Sequence, residues 1–214
     1  MDAVRDYLVH LKAKTNSDEN TEIRAVIGIP ANTGPEAREN VRVAVTGLFD
    51  KVILIPEPFL AALGCREVSK SSETGYIDPI SNSIFVDIGA GSSDICLIQG
   101  YYPSSEDQIS FAFAGDAIDA ACNALLERIY QAVRSLIVKA DPDSIPSLLQ
   151  NIIMTGGGSM ISGIDQALQE LLSGEGFEGC EVASVGKTFK TRVATGALIA
   201  ARQAGHRQWQ TLLR

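Results

Sequence analysis

Two apolar runs without alternation stand out early in the chain, residues 24–29 (RAVIGI) and 51–55 (KVILI). Unbroken apolar runs of this length suit parallel strands covered on both faces. Between them, residues 34–49 place Val41, Val45 and Leu48 at helical spacing, with Pro35 near the first turn. Residues 2–14 carry Val4, Leu8 and Leu11 on one side of a predicted amphipathic helix. A short helix is expected over 57–64, after Pro56. A polar stretch with Ser and Gly, residues 66–82, is the best candidate boundary.

Beyond that boundary the pattern changes. Residues 83–88 (SIFVDI), 94–99 and 108–114 read as strands joined by short turns, an antiparallel meander. Residues 116–138 form a long helical pattern through Ile118, Cys122, Leu125, Ile129, Val133 and Leu136. A short helix (145–149), a strand (151–154), a helix (161–172), an edge strand (181–185) and a final helix (189–204) follow. The last residues, 206–214, carry no strong pattern.

A three-stranded meander followed by alternating helices and strands predicts an α/β, ribonuclease-H-like layout. The first unit shows only the alternating part. The expected division is a partial unit at 1–66, a linker at 67–82, a complete unit at 83–205 and a tail. Without a meander beside them, strands 24–29 and 51–55 are both expected to lack sheet neighbours, and an open apolar edge invites association.

The net charge of −8 argues against a nucleic-acid surface, which needs clustered Lys and Arg. No run reaches the roughly 18 apolar residues of a membrane span, and no signal-peptide pattern opens the chain. A cytoplasmic protein is expected. Cys65, Cys96, Cys122 and Cys180 are scattered, and His10 and His206 stand alone. That spacing argues against a disulfide framework or a zinc site and fits buried free thiols.

Three segments carry chemistry. In Phe85–Asp94 (FVDIGAGSSD) an acid, Asp87, closes a strand before a glycine-rich turn, Gly89-Ala90-Gly91-Ser92-Ser93. Bare backbone N–H groups there can approach a phosphate, and the acid can face a hydrated Mg²⁺. An ordinary glycine hairpin is the plainer reading. In Ile55–Gly64 (IPEPFLAALG), Glu57 sits between two prolines at a helix start. Such a carboxylate can orient a water for attack on a phosphoryl group, or simply favour the helix dipole. In Ile152–Ile161, a strand runs into Gly156-Gly157-Gly158-Ser159. The turn either receives a nucleotide or only needs a positive φ.

Together and in this order, the segments resemble the actin, sugar-kinase and heat-shock-chaperone superfamily of ATPases, and within it bacterial actins of the MreB and magnetosome MamK kind. Ile55-Pro56-Glu57-Pro58-Phe59 resembles their first connecting segment. Residues 86–95 resemble their second phosphate loop, and Gly156-Gly157-Gly158-Ser159 their adenosine loop. Ala114-Gly115-Asp116 with Asp119 resembles the start of the helix after the meander. The likeness runs with gaps from Val4 to Ala201.

The resemblance implies an actin-type fold that binds ATP with Mg²⁺. Glu57 would polarise the attacking water, and Asp87 would hold the Mg²⁺ hydration shell. Gly89, Ala90, Gly91, Ser92 and Ser93 would bind phosphates. Gly115, Asp116, Gly156, Gly157, Gly158 and Ser159 would line the nucleotide. The sequence departs from the family in two places: nothing before Arg24 resembles the first phosphate loop, and Gly115-Asp116 runs straight into one helix, so both small subdomains are missing. The implied function is a cytoskeletal filament protein with weak ATP hydrolysis, associating with itself or with a full-length bacterial actin. The alternatives are a non-catalytic partner of such an actin and, more remotely, a sugar- or acetate-kinase fragment.

Overall fold

The computed structural model describes residues 2–15, 21–67, 73–112 and 118–211. In the first half, β1 (Arg24–Ile29) and β2 (Lys51–Pro56) run parallel, from Arg24 opposite Lys51 to Ile29 opposite Pro56. The crossover between them is α2 (Pro35–Val45), which starts behind Gly34 with proline in its first turn. It stops short of the predicted residue 49. The Thr46 hydroxyl turns back to the Arg42 carbonyl at 2.8 Å, and Gly47 takes a positive φ of 76°. Helix α1 (Asp2–Ala13) lies along α2. Its Arg5 donates to the carbonyls of Ala44 and Thr46 at 2.8 and 2.9 Å, satisfying acceptors at the end of α2. Leu8 joins Val45 and Val52 in the small core below.

The second half holds a five-stranded sheet in the order β5-β4-β3-β6-β7. β3 (Ser83–Ile88), β4 (Ser92–Ile98) and β5 (Gln108–Ala112) form the predicted antiparallel meander. β6 (Ile152–Thr155) joins β3 in parallel, and β7 (Val182–Ser184) is the edge. Helices α4 (Ile118–Lys139), α5 (Ile145–Leu149) and α6 (Ile164–Gly174) supply the main core. There Ile84, Val86 and Ile95 meet Ile129, Val133, Leu136, Leu148 and Leu168. The alternate side chains Phe85, Cys96 and Ile98 face Ala61 and Ala62 of α3 (Glu57–Cys65).

One helix pair joins the halves. α3 packs against α7 (Phe189–Gln203) at van der Waals distance of the two backbones. A methyl on Gly64 would strike the Arg192 backbone, and one on Gly196 would strike the Leu60 carbonyl. The sequence pattern groups α7 with the second unit, yet the structure lays it against α3 and β1. The end of the described chain also returns to the first half. Trp209 is buried, and β8 (Gln210–Thr211) pairs antiparallel with Lys51 and Val52. The expectation of missing sheet neighbours therefore fails for β2, which has β1 on one side and β8 beside its first two residues. It holds for the outer edge of β1, which has no strand partner among the described residues.

Candidate functional site

Register builds the centre of the site. Asp87 and Asp94 are direct cross-strand partners on β3 and β4. Both stand on the sheet face that Phe85 and Cys96 turn toward α3. Glu57 is the first residue of α3, so the same packing that buries Ala61 and Ala62 brings its carboxylate to the two aspartates. On its other side the Glu57 stem rests against Gly28 of β1, where a methyl would lie 3.0 Å from Cγ.

The acids act on one another. Burial, and then the charges of Glu57 and Asp94, push Asp87 up to about 7. Burial, reinforced by Asp94, also raises Glu57. Neither Glu57 nor Asp87 has a hydrogen-bond or ion-pair partner among the described residues. Asp94 is different. It is buried and satisfied, accepting the Ala31 N–H at 3.0 Å and the Ser92 hydroxyl at 2.9 Å. Sequence reasoning gave Asp94 no role. The available signal was an acid directly before the apolar run ICLI of β4, in a strand with no other charged residue, a place where charge is rare unless it is paired.

Two glycine turns flank the acids. The first closes through Gly89 N–H to the Ser92 carbonyl at 2.9 Å and leaves Gly89, Ala90 and Gly91 exposed. Ser92 lies on the Asp94 side. Ser93 falls on the opposite face with Ile95 and Leu97, its buried hydroxyl without a partner among the described residues. The second turn leaves β6 after Thr155, which is the register partner of Asp87. Gly156 takes φ 81° and ψ 171°, a region open to glycine alone. A methyl there would collide with Asp87 Oδ1 and the Ile88 carbonyl, and one on Gly158 with the Ile88 side chain. Gly157 faces open space. The Ser159 hydroxyl is committed to the turn, donating to the Gly156 carbonyl at 2.8 Å.

Glu57, Asp87, the Gly89–Ser93 turn and the Gly156 turn thus meet in one place, between the halves. Gly115 and Asp116 lie outside the described residues. The donor set fits a nucleotide with Mg²⁺: bare backbone at Gly91 and Gly157, and two unpartnered carboxylates whose mutual repulsion a cation would relieve. Among the described residues no three acid, histidine or cysteine side chains form a ready-made cage. Mg²⁺ typically keeps several waters and leans on phosphates rather than on an all-protein cage, so Asp87 acting through water suits it. Among the described residues no helix is long and apolar enough to cross a membrane.

No protein-family model matches the chain. Among curated proteins it is 24% identical over 230 residues to the actin-like protein MamK of Paramagnetospirillum magneticum, covering 80% of this chain and 63% of that protein. The figures for MamK of Magnetospirillum gryphiswaldense are 24% over 230 residues, 80% and 61%. The chain therefore spans a little under two thirds of these relatives' length. Among solved structures, a MamK double helical filament superposes with a TM-score of 0.79 at 22% identity, covering 95% of this chain and 76% of that one. A non-polymerising MamK mutant bound to AMPPNP gives 0.69 at 24% identity, with 94% and 75% covered.

Proposed function

We propose that this chain, of actin-type fold and related to the MamK actin-like proteins, binds ATP with Mg²⁺ in the cleft between its halves and builds or joins cytoskeletal filaments in the cytoplasm. The observation that carries the reading is convergence: Asp87 touches the Gly156 turn, pairs with Asp94 and senses the charge of Glu57. A MamK structure with AMPPNP and another as a double helical filament support it by likeness of fold.

Each residue then has a part. Within the Gly89–Ser93 turn the bare backbone around Ala90 and Gly91 holds phosphate oxygens, while the Gly89 N–H, given to the Ser92 carbonyl, and the Ser92 hydroxyl, given to Asp94, keep the turn in shape. Asp87 would hold Mg²⁺ through water, and the ion would supply charge neutralisation at the phosphates. The Gly156–Ser159 turn carries the adenosine, with Gly115 and Asp116 as further contacts. Glu57, raised by burial, orients a water in line with the terminal phosphate. Turnover by these 214 residues alone is expected to be small. Phosphoryl transfer depends on clamping charge from both sides, and no counterpart of the first phosphate loop occurs in this sequence. Each lost hydrogen bond to a charged group weakens binding by roughly 1.5–3 kcal/mol.

Isothermal titration with ATP·Mg²⁺ tests this. Weak binding heat is expected in the unmodified chain and none in Asp87→Ala. Heat that survives the substitution, or none in either, overturns the cleft. A second reading, a non-catalytic partner of a full-length bacterial actin, is favoured by the open outer edge of β1. Absence of heat together with strand-mediated association would select it.

A further inference from the structure

The two oxygens of Asp94 serve two distant parts of the chain. Oδ1 accepts the backbone N–H of Ala31, which opens the loop leaving β1 in the first half. Oδ2 accepts the hydroxyl of Ser92, which closes the glycine turn of the second half. The residue after Ala31 is fastened as well. Asn32 sits at φ 55°, a left-handed conformation that asparagine tolerates better than most residues. Its side-chain amide donates to the Gln108 carbonyl on β5 at 2.5 Å. Successive residues of one loop are therefore tied to neighbouring strands of the other half.

We infer that Asp94 is a positioning residue, a carboxylate latch that holds the Ala31 loop of the first half against the Gly89–Ser93 turn of the second. A buried N–H such as that of Ala31 must find an acceptor, and a carboxylate is the strongest available. No cation pairs with Asp94 among the described residues. Its charge is met by two donors, one from each side of the cleft, and these alone justify burying it. An apolar residue here would fill the space and leave the loop unheld. The inference deepens the nucleotide reading, since the turn it fastens is the one assigned to phosphates, but the latch itself exists without ligand.

Hydrogen exchange of the ligand-free chain, read at the Ala31 amide, tests it. Asp94→Ala is expected to speed that exchange about tenfold or more while amides of β3 and β6 stay protected. Asp94→Asn keeps a neutral acceptor at Oδ1 and is expected to fall between the two, rescuing most of the protection. Any other order overturns the latch. Should the alanine variant not fold, Asp94→Asn against the unmodified chain decides, and equal rates sink the proposal. The expected order in a chain that gives no ATP·Mg²⁺ heat upholds the latch and removes the nucleotide reading alone.

Discussion

Asp87 is held in a place that disfavours its charge. Burial and two neighbouring carboxylates lift it to about 7, far above an unfolded aspartate. The folded state therefore binds a proton that the unfolded chain releases between about pH 4 and pH 7. The stability linked to that proton is complete below the unfolded pKa and is lost as pH rises through 7. Asp87→Asn removes the loss. Denaturant unfolding at pH 8 is expected to show the variant more stable, on the order of 2–4 kcal/mol, with the gap shrinking toward pH 5. A gap that does not depend on pH would refute the assignment. Glu57 is raised in the same direction, so the slope belongs to the pair. A site that costs stability without ligand is what the proposed ATP·Mg²⁺ cleft requires.

Elements place these residues through two backbone contacts. One is the approach of β6 to β3, which only glycine at 156 permits. The other is the α3–α7 crossing, where Gly64 and Gly196 face carbonyl groups instead of side chains. Neither carbonyl can retreat without breaking its helix. Gly196→Ala is expected to cost about 3 kcal/mol, within reach of the larger overpacking penalties, read as a lower denaturation midpoint. An unchanged midpoint would show that the helices separate freely. Because α3 begins with Glu57, loosening the crossing also moves that carboxylate, so weaker ATP·Mg²⁺ heat should accompany the lost stability.

Over the whole molecule, the two sheets follow one plan to different extents. In the second half β3, from the meander, lies parallel against β6, and α6 leads on to β7. In the first, α2 connects β1 to β2 in the same way, and the edge of β1 corresponding to the β3 side of β6 is open among the described residues. An unpaired parallel edge with Ala25, Val26 and Ile27 half-buried is a template for another strand. Light scattering on the concentrated chain is expected to give a mass above that of one copy, falling on dilution. A concentration-independent single-chain mass would count against association through this edge.

Much was legible without coordinates, for local reasons. The strand runs at 24–29 and 83–88, the short helix 145–149 and the meander follow from periodicity, proline and glycine, which act within a few residues. Glu57, Asp87 and the Gly156 turn stood out as candidates by residue type and neighbours, and the structure brings them together. The structure alone decided what depends on residues far apart in the chain. Asp94 faces Asp87 only because β3 and β4 pair in one register. Helix α7 crosses to the first half, and β8 pairs with β2, because buried apolar surface and open strand edges are satisfied wherever the folded chain brings them together. A one-dimensional pattern states which face a residue prefers; which partner it meets there is a property of the packed whole.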